Sequence, residues 1–198
     1  MNLHVTHRPK ITAVAAPDFT TELDHFDPRQ TLHLKKHSTI IIRVILPEDE
    51  ASMVKFHAGL SEESIYLRYF EHISLDTRTL HDRLARVCTN AKDSFAVVAE
   101  KPVTGQHAPE ILAVGRLTTT ETVGVTSFAL LVSDEMQETE LPYDLLKRLI
   151  MTARAFGFHT LNGELLVADH DALNLCRKFG FTLHTVPDEG IVKVSLPL

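Results

Sequence analysis

Five carboxylates crowd eleven residues of this chain: Asp134, Glu135, Glu138, Glu140 and Asp144. An apolar strand pattern, Phe128-Ala129-Leu130-Leu131-Val132, runs into them. An amphipathic helix follows, with Leu145, Leu146, Leu149, Ile150 and Ala153 on one face. Residues 133–140 thus form an acidic loop that opens a helix. In α/β units such a loop commonly seats an anionic ligand, because free amides and the helix dipole favour negative charge there. Acidic side chains suit the same dipole but repel a second anion. Two like charges about 6 Å apart repel by roughly 2–3 kcal/mol at an effective dielectric of about 20, before water and salt screen them.

The other chemistry-bearing residues are histidines and two thiols. There are 12 histidines, and protonating all of them takes the formal charge from -6 to +6. His33 and His37 share a face if helical, one way to hold a metal. No cysteine or carboxylate stands at ligand spacing beside them, so no metal site is expected. Cys88 and Cys176 lie in apolar, pattern-forming contexts. They read as reduced thiols of a cytoplasmic protein, not as a disulfide framework. A net charge of -6 without a basic cluster argues against nucleic acid or an anionic membrane as partner. No apolar run reaches the length of a membrane span. Ile11 to Ala16 is faintly like a signal peptide's apolar region but is too short.

These residues need elements to hold them. Residues 39–46, with Ile40, Ile41, Ile42 and Val44, make a strong strand. Pro47 starts a helix with Glu48, Asp49 and Glu50 in its first turn and Met53, Val54, Ala58 and Leu60 as its apolar stripe. Ser61 caps a second helix carrying Glu62, Glu63, Ile65, Tyr66, Arg68, Tyr69 and Phe70. Residues 79–87 form a third, with Leu80, Leu84 and Val87 inward. Strands follow at 94–100 and 111–117, joined by a polar connection at 102–109. After the central strand and its helix, which Gly157 terminates, come a strand at 161–167 and a shorter helix that Gly180 stops. Strands 181–186 and 191–195 close the chain around the turn 187–190. Residues 1–38 read as an extended arm that adds a strand or covers an edge, and 39–198 as the domain proper. The expected fold is α/β, a mixed sheet with helices on both faces. A chain of 198 residues, 44% hydrophobic, suffices for one core.

The element order and several strings resemble the GNAT acyltransferase superfamily, and within it the protein-lysine acetyltransferase domain fused to acyl-CoA synthetases. The strings are Ile42 to Asp49, Leu60 to Phe70, Leu84 to Cys88, Glu164-Leu165-Leu166 and Leu175 to Phe181. The similarity runs over roughly residues 40–196. It implies a mostly antiparallel sheet, splayed between the strands at 127–132 and 161–167, with acetyl-CoA in the splay and an amine, such as a protein lysine, as acceptor. The backbone N–H groups of Leu130, Leu131 and Val132 would polarise the thioester carbonyl. A homodimer is also compatible with the family.

The resemblance assigns residues one by one. The family's diphosphate loop reads Q/R-x-x-G-x-G/A, and here it is Gln137-Glu138-Thr139-Glu140-Leu141-Pro142, with Tyr143 next. Gln137 matches. Glu140 stands for the first glycine and Pro142 for the second, so an N–H donor is lost where a carboxylate is gained. A lost hydrogen bond to a charged group costs roughly 1.5–3 kcal/mol, so diphosphate binding is expected to weaken about ten-fold or more. Ser127 occupies the place of the family's general-base glutamate. Cys176 occupies that of the tyrosine which protonates the leaving thiolate, although a buried helical cysteine is also ordinary core. Asp169 replaces the helix-opening asparagine as N-cap. Glu164 and Glu121 are the remaining carboxylate bases, Glu164 being equally explicable by structural pairing. His57, His159 and His170 serve as bases only if they line the cleft. Arg68 and Tyr66 either line an acceptor pocket or anchor their helix.

Three functions follow. One is a GNAT-type N-acyltransferase, another is a GNAT-fold module that has lost its cofactor and binds or regulates, and the third is a structural dimerisation domain assembled through the N-terminal arm.

Overall fold

The computed structural model describes Pro17, Phe19 and residues 29–33, 39–102 and 109–198. Among these residues eight strands form one sheet: β1 (Gln30–His33), β2 (Thr39–Val44), β3 (Ser94–Lys101), β4 (Glu110–Thr119), β5 (Val125–Val132), β6 (Thr160–Leu166), β7 (Thr182–Val186) and β8 (Ile191–Pro197). Their spatial order is β1-β2-β3-β4-β5-β6-β8-β7. Every neighbouring pair is antiparallel except β5–β6, which is parallel because a helix carries the chain between them. Six α-helices occur among the described residues: α1 (Glu50–Ala58), α2 (Glu62–Tyr69), α3 (Leu75–Arg78), α4 (His81–Val87), α5 (Leu141–Ala155) and α6 (His170–Lys178).

Alternation along the strands sends side chains to two cores. On one face α5 and α6 bury Leu145, Leu149, Ala153, Leu173 and Cys176 against Phe95, Val97, Ala99 and Leu161. On the other, α1, α2 and α4 bury Met53, Phe56, Ile65 and Leu84 against Ala96, Val98, Val114 and Leu131. Gly115 lets α5 close on β4, since a Cβ there would sit 3.1 Å from Leu149.

Two expected stripes shift. Val54 and Ala58 face solvent, and Ser52, Met53, Phe56 and His57 form the buried face of α1 instead. Val54 lies one residue, about 100° of helix, past the stripe. Leu80 is 57% exposed rather than inward. It is the N-cap of α4, with φ -53° and ψ 131°, so it does not share the helical face of Leu84. The segment before it holds the short α3, which the sequence pattern did not suggest. Of the N-terminal arm, β1 pairs antiparallel with β2, and Phe19 is fully buried against Phe95, Phe156 and Phe158. The rest of the arm, with His4, His7, His25 and His37, lies outside the described residues, as do residues 103–108 of the polar connection.

Candidate functional site

Strands β5 and β6 pair for three rungs, Val125↔Thr160, Thr126↔Leu161 and Ser127↔Asn162, and then part. The Phe128 ring lies against the β6 backbone, where a Cβ on Gly163 would come within 2.6 Å of it, and packs on Phe181 at 5.5 Å between centroids. Beyond Phe128 the β5 edge faces a groove instead of a neighbouring strand. The groove encloses about 2000 Å³ and is lined by Ser127 to Val132, by Asn162 to Leu165, and by residues of α2, α6 and the acidic loop.

Hydrogen bonds tie the acidic loop to the start of α2. The loop's first residues wind into a single 3-10 turn, Asp134–Met136. The Asp134 carboxylate accepts from Ser61 N at 2.9 Å, Ser61 Oγ at 2.5 Å and Ser64 Oγ at 2.7 Å. Burial works to raise its pKa, but these hydrogen bonds prevail and hold it below the usual carboxylate range. Asp134 thus faces the start of α2 and not the helix behind it. Gln137 Nε2 donates to Ser64 Oγ at 2.8 Å and to Val132 O at 3.3 Å, so it serves the same junction. At the start of α5, Leu141 N–H donates to Thr139 Oγ1 at 3.2 Å, and Pro142 has no N–H. Of the first three helical amides that leaves Tyr143's, beside a ring stacked on Phe179 at 4.6 Å. Burial raises the Asp144 carboxyl, Lys147 opposing and Glu140 assisting.

The residues expected to do chemistry sit as follows. Ser127 is at the apex where the strands part, and its Oγ donates to Thr118 O at 3.3 Å. Glu164 lines the groove and pairs with Lys193 at 3.7 Å, both side chains being more than half exposed. Cys176 is buried in the apolar core, which pushes its thiol up to about 12, with Asp169 assisting and Arg177 opposing. A thiol so raised is a weak acid for a leaving thiolate of ordinary pKa near 8.5. Asp169 Oδ1 accepts from Ala172 N at 3.0 Å as the cap of α6, and burial raises its carboxyl.

Of the three histidines, His170 lines the groove. His159 instead holds the turn before β5, with Nε2 3.2 Å from Val123 O and Nδ1 3.0 Å from Thr160 Oγ1. His57 is buried in the α1 core, where burial and the charges of Arg78, Arg83 and Arg68 bring it down to about 4. Glu121 lies in the exposed turn before β5, outside the residues that line the groove. Tyr66 stacks on His72 at the surface, whereas Arg68 lines the groove. No cluster of metal-holding side chains occurs among the described residues, and no helix there is long and apolar enough to cross a membrane.

Sequence reasoning missed two features. Asn162 stands opposite Ser127, and its Oδ1 is buried without a hydrogen-bond partner. Ser61, Ser64, Asp134 and Gln137 form one network across more than seventy residues of chain. The serine cap was visible in the sequence; its carboxylate partner was not, because no local pattern links such distant positions.

No protein-family model matches the chain. Among solved structures it is similar to the GNAT domain of PAT from S. lividans, with a TM-score of 0.74 and 22% identity over 86% of this chain and 97% of that one. It is also similar to yncA, a putative acetyltransferase from Salmonella typhimurium solved with its cofactor acetyl-CoA. That match has a TM-score of 0.58 and 18% identity, over 80% of this chain and 94% of the other. A cAMP-binding acyltransferase from Mycobacterium smegmatis matches 85% of this chain with 46% of its own length, at a TM-score of 0.56 and 19% identity. With the parted parallel pair at the centre of a mixed, mainly antiparallel sheet, these likenesses establish that the chain has the GNAT fold.

Proposed function

We propose that this chain is an acyl-CoA-dependent N-acyltransferase with a weakened grip on the cofactor's diphosphate. The observation that carries this reading is the open β5 edge beyond Phe128, with a groove of about 2000 Å³ beside it. Unpaired backbone amides and carbonyls along an edge strand can bind an extended amide-bearing arm as a further strand would. Residues 130–132 are the segment that would hold such an arm and direct N–H groups at a thioester carbonyl. When bound, acetyl-CoA supplies the activated acyl group.

The fit is uneven. The groove suits the pantetheine arm, but the corner at Thr139, Glu140, Leu141 and Pro142 does not suit a diphosphate. One amide there is satisfied, one is absent, and carboxylates stand close by. Neither residue nearest the apex is a ready base, since Ser127 donates to a carbonyl and Glu164 pairs with Lys193 across solvent-exposed side chains, and His170 lines the groove only from the start of α6. An amine must then arrive neutral in order to attack. An amine of pKa about 10.4 is neutral in roughly one molecule in a thousand near pH 7.4, so turnover is slow and rises with pH.

Calorimetric titration with acetyl-CoA tests the reading. Binding in the range of about 10–500 µM supports it, and no heat at millimolar ligand overturns it. The satisfied Leu141 amide and Pro142 favour a second reading, a cofactor-free binding module of the same fold. Absence of acetyl-CoA binding in an otherwise folded chain would establish that one instead.

A further inference from the structure

The α2 side of the groove holds arginines without counter-charges. Arg68 lines the groove and is half-buried, yet it forms no hydrogen bond and no ion pair among the described residues. Its guanidinium carbon lies 5.0 Å from the centroid of the Tyr69 ring, and that of Arg83 lies 5.1 Å from the same centroid. Arg116, on the facing strand β4, donates to Val87 O and feels the Arg68 charge; Asp93 acts on it only from beyond ion-pair distance. Arg78 of α3 spends its donors on Ile73 O and His57 O. Three elements thus bring positive charge to one place, and no carboxylate makes an ion pair with Arg68, Arg83 or Arg116 among the described residues. Burial holds Arg68 below the usual arginine range, with Tyr69 pulling the other way and Arg83 adding to the fall. Burying a cation costs free energy unless something pairs with it. A guanidinium keeps five N–H donors in a fork that matches a carboxylate or phosphate, and those of Arg68 face the groove uncommitted.

We infer that Arg68, backed by Arg83 and Arg116, is the binding site for an oxyanion group, a carboxylate or phosphate, of the molecule that enters the groove from the α2 side. Assigning that anion to the acyl acceptor rests on the acyltransferase reading; the anion site itself does not. The acceptor is then an amine that also carries a negative group, and Arg68 binds and positions it without taking part in proton transfer.

The test uses the full chain without CoA, titrated separately with inorganic phosphate and with glutarate. Thermal unfolding and the Arg68 Nε–H resonance are followed together. The expected result is a saturable rise in Tm of a few degrees with at least one anion, a saturable shift of the Arg68 resonance, and loss of the Tm response in Arg68→Gln. A response to phosphate alone, or to glutarate alone, supports the site and names the group it takes. An unmoved Arg68 resonance in the unsubstituted chain overturns it, whether or not the variant folds, and so does an equal Tm response in Arg68→Gln. Acetyl-CoA titration of the same sample separates the two claims. Cofactor binding without an anion response sinks the anion site alone, and the reverse leaves the site standing without its acceptor.

Discussion

Two arginine sites lie on the helical face that carries α1 and α2, and they are built in opposite ways. Where β2 pairs with β3, Arg43 is saturated. Its Nη1 and Nη2 grip Asp49 at 2.7 Å each, and Nε and Nη2 reach Glu100 at 2.8 and 2.5 Å. Asp49 also accepts from Leu46 N at 2.8 Å, so one carboxylate both pairs an arginine and shapes the entry to α1. Asp49 first and burial in opposition, then Glu100, hold the guanidinium well above the usual arginine range. At Arg68 no N–H donor has a hydrogen-bond or ion-pair partner among the described residues. An arginine whose donors are spent inside the chain holds the fold, and one whose donors face a groove is available to a ligand. The same division separates the amides: Leu141 N–H is spent on Thr139, while the β5 edge beyond Phe128 is open.

The largest test of the division is at the saturated site. Asp49→Ala should cost about 3 kcal/mol, because it leaves a buried guanidinium with half its counter-charge. Urea unfolding should show a lower midpoint at an unchanged slope. A loss below about 1 kcal/mol would mean that the network contributes little and that saturation does not mark a structural arginine. On the open side, acetyl transfer to a lysine-type amine should rise about ten-fold per pH unit between pH 7 and 9 with no inflection. A plateau beginning near pH 7 would reveal a side-chain base that the geometry at Ser127 and Glu164 does not supply.

The corner at α5 offers the next step down. Pro142→Gly restores an N–H donor and, combined with Glu140→Gly, removes a carboxylate. Acetyl-CoA should then bind about ten-fold tighter, as calorimetry would show. Equal affinity would mean that the corner never meets the diphosphate. Asp134 gives a smaller effect. Asp134→Ala removes a partner of Ser61 and Ser64 and should cost about 1 kcal/mol at pH 7, the scale of a lost cap at an exposed site. Since the folded Asp134 carboxyl titrates below its ordinary value, its charge contributes stability above about pH 4. That contribution is lost as pH falls through the lower folded value, so the gap between variant and parent should narrow below pH 4. A gap that widens there would reverse the sign of the effect.

Much of the fold was legible because it rests on local pattern. Isoleucines at 40–42 made a strand, Ser61 capped α2, and glycines 157 and 180 followed helix ends with φ of 79° and 84°. The splay entered only through resemblance, and the contact beside it, Phe128 against Gly163, is one between strands that no single stretch encodes. The acidic loop was legible as acidic but not as occupied. Asp134 serves α2, and that could not be read from the spacing of carboxylates. Leu80 failed for a geometric reason: helical periodicity applied one residue too early puts a cap on the buried stripe.

The smallest effect is the sharpest discriminator between the two arginines. Arg68→Gln removes a charge that Arg83 and Arg116 repel, and gives up a contact with the Tyr69 ring worth roughly 0.5–1 kcal/mol. Relief of repulsion offsets that loss, so in anion-free buffer the variant should unfold within about 0.5 kcal/mol of the parent. The same substitution at Arg43 strands Asp49 and Glu100 together and should cost several times more. If both substitutions destabilise equally, Arg68 is an anchor for α2. If only Arg43→Gln does, the stability of the fold is indifferent to Arg68, and its uncommitted donors are left for a ligand.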